Sequence, residues 1–371
     1  MTSPRLTVLG VPGHRRVTLF AAAARAAGLP EPAVLPWLDV LRGSYRIEPG
    51  TVLRVDSPGE DAAVDALLRG PALGSGYAPT RVEGTAAWYA GFTAALAGVA
   101  RAVRAAPGAR LLADPAETGV MFDKRRTHRL LAGAGVPVPP ALEQGAEPVR
   151  GWADLRERLA AAGLHRVFVK PAHGSSASGV VALEFGPRGQ VAATTSAAWQ
   201  GGELHNSLRV RRYREEREVA AIVDRLAPDG LHVERWIPKA SQRGRSADLR
   251  VVVVAGRATH VVVRTSGGPM TNLHLGGARG DPELVRAAAG PCWADLLETA
   301  ERAAACFPGS PMAGVDVLPS AGWRRYLVGE VNAFGDLLPG LTGLPGGPAE
   351  DLDTYGAQIA ALLTAGRGAT P

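Results

Sequence analysis

Val167-Phe168-Val169-Lys170-Pro171, followed by Ala172-His173-Gly174-Ser175-Ser176-Ala177-Ser178-Gly179-Val180, is the stretch on which the reading of this chain turns. An apolar run ends in a lysine and a proline, then passes into a loop of small residues. Lysine is scarce: Lys124, Lys170 and Lys239 are the three in the chain, and 41 basic residues less three leaves 38 arginines. Where arginine has taken over generic surface charge, a retained lysine marks a place that wants a slim, strongly hydrated point charge on a flexible stem, as when an ammonium meets a phosphate. A strand, a lysine and a small-residue loop suit the gripping of phosphate. An ordinary lysine at a strand end is the competing reading of this stretch.

The 371 residues exceed what one core usually organises and suit two or three subdomains. No apolar run approaches the roughly 18 residues of a membrane span, so no membrane is expected. The N-terminal Met1-Thr2-Ser3-Pro4-Arg5 leads straight into Leu6-Thr7-Val8-Leu9, without the basic-then-apolar design of a signal peptide. The expected location is the cytoplasm. Cys292 and Cys306 flank a segment that reads as one amphipathic helix. Its length, about 21 Å for fourteen residues, is too great for a disulfide, and both cysteines are expected to be buried small hydrophobes.

The net charge of +6 raises the question of nucleic acid. The densest basic cluster, Arg209, Arg211, Arg212, Arg214 and Arg217, is interrupted by Glu215, Glu216 and Glu218. It reads as the solvated face and first turns of a helix over 215–226. No nucleic-acid partner is expected, since an anionic substrate or nucleotide accounts for the basic excess equally well.

Over the first ~115 residues, strands at 6–9 and 51–56 alternate with helices at 16–27, 60–69 and 86–105, a pattern of βαβ units and a parallel sheet. Gly10-Val11-Pro12-Gly13 lacks the third glycine of a dinucleotide fingerprint and reads as a strand-to-helix turn. A helix over 121–131 ends near Gly133–Gly135, and Val136-Pro137-Val138-Pro139-Pro140 forms an extended linker. Next come a helix at 152–162, the Lys170 strand, strand 180–184, the helix at 215–226 and strand 231–237. Strands at 249–254 and 259–264 precede the cysteine-bearing helix, strands at 314–318 and 326–333 follow it, and a last helix covers 350–364. The glycine- and proline-rich 339–348 is a loop, and 367–371 a frayed tail.

Asp316 lies within Gly314-Val315-Asp316-Val317-Leu318, and Glu330 and Asn332 within Gly329-Glu330-Val331-Asn332-Ala333. Strand side chains alternate faces, so Glu330 and Asn332 share one face and Val331 the other. Three oxygen donors on neighbouring strands suit a hard cation such as Mg²⁺. Burying an acid in an apolar strand is costly without a partner; a strand whose acids face solvent is the plainer alternative.

Taken together, these segments resemble the ATP-grasp family, in particular carboxylate–amine ligases of the RimK, glutathione synthetase and D-alanine–D-alanine ligase kind. The resemblance covers about residues 120–340 in the family's order. It rests on Asp123-Lys124 with the run to Pro139, Val169-Lys170-Pro171 with the loop to Gly179, Glu234-Arg235-Trp236-Ile237, Asp248-Leu249-Arg250, Asn272-Leu273-His274-Leu275-Gly276-Gly277, and Asp316, Glu330 and Asn332. It implies an α/β (α+β) ATP-grasp fold: an N-terminal Rossmann-like domain over 1–118, a small ATP-binding lid subdomain with linker over 119–237, and a C-terminal subdomain over 238–371.

The resemblance also implies ATP and Mg²⁺ as cofactors, with two ions and Mn²⁺ as a possible substitute. Lys124 and Lys170 would meet the phosphates, while His173, Gly174, Ser175, Ser176 and Gly179 would belong to the covering loop. Glu234 and Ile237 would read adenine beside the Trp236 wall, and Asp248 and Asn272 would complete the nucleotide site. Asp316, Glu330 and Asn332 would hold metal, and Arg264, Arg250 and Lys170 would stabilise the transferring phosphoryl group. His173 either touches phosphate or caps its loop. His274 either faces substrate or holds a turn, and Lys239 faces nucleotide or, the preferred reading, solvent.

The implied reaction joins a small-molecule or peptide carboxylate to an amine through an acyl phosphate, and a homodimer is compatible with the family. A non-catalytic nucleotide binder and a small-molecule kinase on the same fold are the alternatives. After Asn332 the sequence departs from the family's small residue, proline and glycine, running Ala333-Phe334-Gly335-Asp336-Leu337-Leu338-Pro339-Gly340. The acid and the amine are therefore left open, as is the role of the N-terminal domain.

Overall fold

The computed structural model of the protein describes residues 4–70, 78, 80–142, 147–174, 177–335 and 338–368. The first part winds β1 (Arg5–Gly10), α1 (Arg15–Ala26), β2 (Ala33–Pro36), α2 (Trp37–Leu41), β3 (Thr51–Val55), α3 (Ala62–Arg69), α4 (Thr85–Ala105) and β4 (Arg110–Leu111). The four strands are all parallel, in the order β2-β1-β3-β4. Val8, Leu9 and Leu53 are fully buried, as a sheet covered on both faces requires.

Two short helices follow, α5 (Pro115–Met121) and α6 (Lys124–Gly133). The single helix expected from residue 121 is thus broken at Phe122–Asp123. The Asp123 carboxylate accepts from the backbone N–H groups of Arg125 and Arg126, which makes it the N-cap of a new helix rather than an interior residue.

The second sheet is antiparallel, with α7 (Trp152–Ala161), β5 (Arg166–Pro171), β6 (Val181–Phe185), β7 (Val191–Gln200), β8 (Glu203–Tyr213), α8 (Glu216–Leu226) and β9 (Leu231–Arg235) in chain order. Its strands run β8-β7-β6-β5-β9. Leu155 and Leu159 of α7 and Ile222 and Val223 of α8 pack on Val167, Val169 and Leu183. The β7–β8 hairpin was not expected. β7 is rich in alanine, serine and threonine and lacks the apolar alternation that announces a strand. Arg209, Arg211 and Arg212, read as part of a helix start, lie on β8 instead, and the helix begins at Glu216.

The third sheet contains β10 (Ser241–Gln242), β11 (Arg245–Val254), β12 (Arg257–Ser266), β13 (Ala278–Arg279), β14 (Met312–Pro319) and β15 (Tyr326–Asn332). Its order is β13-β12-β11-β14-β15, with β10 paired to β11. Between β13 and β14 come α9 (Pro282–Ala289) and α10 (Cys292–Ala305), and the chain closes with α11 (Thr354–Gly368), four residues later than expected at each end. Leu296, Ala300 and Ala303 of α10 share one core with Val251 and Val315, and that core extends to Leu9 and Phe92, joining the first and third sheets. α11 turns back: Tyr355, Ile359 and Leu362 pack against Leu6, Val17 and Phe20. Cys292 opens α10 and Cys306 caps it; both are free thiols, half-buried rather than buried. No helix among the described residues is long and apolar enough to cross a membrane.

Candidate active site

On β5 the alternation that buries Val167 and Val169 turns Phe168 and Lys170 to the other face. The antiparallel register sets Glu234 opposite Phe168 and His232 opposite Lys170. The ammonium of Lys170 lies 2.6 Å from Glu234 Oε1, and Glu234 Oε2 lies 3.0 Å from His232 Nε2. Burial works against ionising Glu234, yet the Lys170 charge and the His232 hydrogen bond hold its carboxyl down at about 2. The same partnership raises the Lys170 pKa against its own burial. Burial lowers that of His232, which favours the neutral ring.

Lys124 enters from the first turn of α6. Its backbone N–H donates to Ala172 O at 3.0 Å, and its ammonium donates to Gly174 O and lies 3.0 Å from Glu330 Oε1. The start of α6 and the small-residue loop are thereby tied together. Gly179, at φ +67°, has no room for a side chain: a Cβ would lie 2.5 Å from Val82 and 2.9 Å from Pro171.

Four adjacent strands supply the rest. The register pairs Asp248 with Arg264, Arg250 with Asp316, and Asp316 with Glu330. Valines 251, 315 and 331 face the core while the charged residues share the opposite face. Arg264 Nε meets Asp248 Oδ1 at 2.8 Å and its Nη2 meets Asp316 Oδ2 at 3.1 Å. Arg250 Nη2 donates to Asp316 Oδ2 at 3.2 Å. A bulge between β14 and β15 follows the Asp316–Glu330 pair, a device that re-aims a side chain at the cost of one ladder position. Burial penalises both aspartates, but Arg264 and Lys239 hold Asp248 well below the usual carboxylate range, and Arg250 and Arg264 do the same for Asp316.

These groups converge on one cavity of about 610 Å³, within the range of small-molecule sites. Lys124, Lys170, Gly174, Glu234 and Ile237 line it on the side of the second sheet. Asp248, Arg250, Arg264, Asn272, His274, Asp316, Glu330 and Asn332 line it on the side of the third.

Other expected residues are placed differently. Trp236 does not face the cavity; its ring packs against Phe168 at 5.3 Å and carries the Arg166 guanidinium at 4.1 Å, leaving Phe168 as the apolar wall. His173 is also turned away, stacked on Tyr89 at 3.9 Å with Nδ1 3.2 Å from Phe122 O, so it braces the loop. Lys239 is buried rather than solvent-facing, with its ammonium 3.2 Å from Asp248 Oδ2 and 3.0 Å from Thr271 Oγ1. The Asp248 carboxylate is thus shared among Arg264, Lys239 and Thr271. Ser175 and Ser176 lie outside the described residues.

Sequence reasoning missed Phe168 and Thr271 as cavity residues, and also His14, Arg16, Ser57 and Glu60 from the first sheet. The scarcity of lysine had already set Lys239 apart, and the preference for solvent went against that signal. No spacing announces the others.

The donor set of Asp316, Glu330 and Asn332 fits a hard cation, because all three offer oxygen and stand on adjacent strands of one face. Among the described residues no three His, Cys, Asp or Glu side chains form a metal cluster, so a cation held here would need the Asn332 amide and oxygens from a ligand. Both carboxylates are held by cations here, Asp316 by Arg250 and Arg264 and Glu330 by Lys124.

No family model matches the sequence, and no curated protein matches it. Solved structures do. D-cycloserine synthetase DcsG superposes with a TM-score of 0.56 at 18% identity, over 98% of this chain and 99% of that one. The ATP-grasp ligase PsnB complexed with a minimal precursor gives 0.53 at 16% identity, over 98% of each chain. The chain has the ATP-grasp fold. PsnB complexed with minimal precursor, Mg and ADP gives 0.52 at 16% identity, again over 98% of both chains. The ATP-grasp arrangement therefore includes the first sheet as well as the 120–340 region that carries the sequence motifs.

Proposed function

We propose that this ATP-grasp protein is an ADP-forming carboxylate–amine ligase that uses ATP with Mg²⁺. The observation that carries the reading is the convergence of Lys124, Lys170 and the Asp248–Arg264–Asp316–Arg250 network on one cavity beside a small-residue loop. Two of the structures it resembles are a synthetase and a ligase, and the ligase has been seen with Mg and ADP. A resident Mg²⁺ on Asp316, Glu330 and Asn332 would supply charge neutralisation for phosphate oxygens.

Lys124 and Lys170, now on Glu330 and Glu234, supply cations that can turn to the phosphates of a nucleotide. Arg250 and Arg264 present donors where charge develops on the transferred group. A substrate carboxylate oxygen takes the γ-phosphoryl group and ADP leaves. The amine then attacks the acyl carbon, loses a proton and expels phosphate. The domain boundaries near 118 and 237 belong to the same reading.

The test is thermal unfolding with Mg²⁺ and a non-hydrolysable ATP analogue, for wild type and Glu330→Ala. A ligand at a hundred times its Kd adds about 2.7 kcal/mol of stability. A wild-type shift that collapses in the variant supports the assignment, and ADP release requiring both an acid and an amine completes it. No shift in either protein sinks the nucleotide site. A stable phosphorylated acid formed without any amine would make the protein a kinase.

A further inference from the structure

The small-residue loop between β5 and β6 is met at both ends by one short stretch of the N-terminal part of the chain. Residues 80–89 lead into α4, yet they lie against the second sheet. The Asn206 N–H donates to Thr80 O at 2.7 Å and the Val82 N–H to Leu204 O at 2.9 Å, so the stretch runs antiparallel along β8. Glu83 Oε1 accepts from the Leu204 N–H at 3.2 Å and from Arg225 Nε at 2.5 Å. Asp229, beyond the end of α8, accepts from the Gly84 and Ala86 N–H groups at 2.7 and 3.1 Å. A carboxylate 143 positions away thus takes the place of a local cap at the start of α4.

Val82, 1% exposed, meets the far end of the loop: its Cγ1 lies 2.5 Å from where a side chain on Gly179 would begin. Tyr89, in the second turn of α4, meets the near end. Its ring stacks on His173 with centroids 3.9 Å apart and planes 11° apart. The Tyr89 hydroxyl donates to Gly119 O at 2.8 Å and accepts from Arg126 Nη1 at 3.1 Å, which fixes the ring from the side of α5 and α6. A carbonyl can only accept, so His173 Nδ1 carries the proton that faces Phe122 O at 3.2 Å. In the neutral ring Nε2 is then left to accept from Arg125 Nη2, 3.5 Å away. Burial lowers the His173 pKa and favours that form. Lys124 holds the loop at Gly174 from the cavity. His173 is turned away from the cavity, so Tyr89 acts there only through the loop.

We propose that Tyr89 is a positioning residue: through its stack on His173 it holds the loop in the place from which it covers the β- and γ-phosphates of a nucleotide. The task of the loop rests on the ligase reading. The stack, and its hold on the loop, do not.

The experiment joins hydrogen exchange to calorimetric titration on the full chain, for wild type, Tyr89→Leu, Tyr89→Phe, His173→Ala and the Tyr89→Leu/His173→Ala double variant. Exchange is read without nucleotide at the Ala172, Gly174 and Val180 amides, which are hydrogen-bonded at the two loop ends, with β9 as the internal standard. Titration uses AMP and a non-hydrolysable ATP analogue, each with Mg²⁺. Tyr89→Leu and His173→Ala should each raise exchange at the loop ends roughly fivefold or more while β9 stays at its wild-type rate. Each should weaken the ATP analogue roughly five- to tenfold, the scale of one aromatic pair, and leave AMP, which lacks the covered phosphates, near its wild-type affinity. Tyr89→Phe keeps the ring and should restore both readouts. The double variant should be no worse than either single one, as befits two sides of one contact. If Tyr89→Leu fails to fold, His173→Ala carries the same test from the other ring. Equal weakening of AMP and the analogue, additive losses in the double variant, or unchanged exchange at the loop ends would overturn the proposal. A wild type that binds no ATP analogue would remove the ligase reading, and the exchange data alone would then decide whether Tyr89 positions the loop.

Discussion

Lys170, proposed above for chemistry, also bears on stability through its pairing with Glu234. The carboxylate is 2% exposed and its Lys170 partner 2.6 Å away, so deleting the lysine leaves a buried charge with only a histidine beside it. Removing one member of a buried pair costs about 3–5 kcal/mol, whereas replacing both is often neutral. Lys170→Ala should therefore lower the unfolding temperature and cut turnover by roughly 10²–10³, the cost of one transition-state donor. Lys170→Ala combined with Glu234→Gln should regain most of the stability and none of the turnover, as scanning calorimetry and ADP-release assays would show. If the double variant also regained turnover, Lys170 would have no role beyond balancing Glu234. The lysine was legible because lysine is rare here; its glutamate was legible only as part of a hinge motif, since a cross-strand partner sixty-four positions away leaves no local trace.

At the scale of elements, the loop between β5 and β6 depends on Gly179. Its positive φ suits glycine, and the space a Cβ would need is taken by Val82 and Pro171. Gly179→Ala should cost about 1–2 kcal/mol from the left-handed backbone alone, with the clash adding to it. It should also weaken ATP-analogue binding by displacing the loop that Lys124 holds at Gly174. Unfolding curves and nucleotide titration check this; wild-type values in both would show that the loop position is not set at this glycine. The N-cap at Asp123 is a second such point. Asp123→Ala should lose about 1 kcal/mol of helix stability, read by denaturant unfolding, and more if the Arg125 ion pair at 2.9 Å contributes. Asp123 was visible in the sequence as part of a motif, but read within a helix because the preceding Met121-Phe122 is compatible with one.

For the whole molecule, the buried carboxylates set the response to acid. The folded-state values of Glu234, Asp248 and Asp316 all lie below their ordinary ones. Groups depressed on folding contribute stability that is complete above the unfolded value and is lost as pH falls through the folded one. For Glu234 that window runs from 4.5 down to about 2. Wild type should lose stability steeply below pH 4.5, and Glu234→Gln, less stable at neutral pH, should show a shallower decline in acid denaturation followed by circular dichroism. Equal slopes would mean that folding does not depress the Glu234 carboxyl. The termini matter at this scale too. Arg54 donates to Gln358 Oε1 at 3.0 Å and lies 4.7 Å over the Phe20 ring, so α11 clasps the first sheet. Tyr355→Ala should cost about 3–5 kcal/mol, the range for a large buried ring, measured by chemical unfolding.

The sequence by itself determined the alternating strands and helices of the first sheet, the valine-backed strands with Asp316 and Glu330, and the motif order that matches the ATP-grasp fold. These are local signals, since periodicity and short-range spacing are written along the chain. Only the tertiary structure decided that β7 and β8 form a hairpin, that Lys239 is buried against Asp248, that Trp236 faces away from the cavity, and that the loops after β1 and β3 reach it. Each of these depends on which strands become neighbours, and pairing partners far apart in sequence are chosen by the packing of the assembled sheets rather than by the residues beside them.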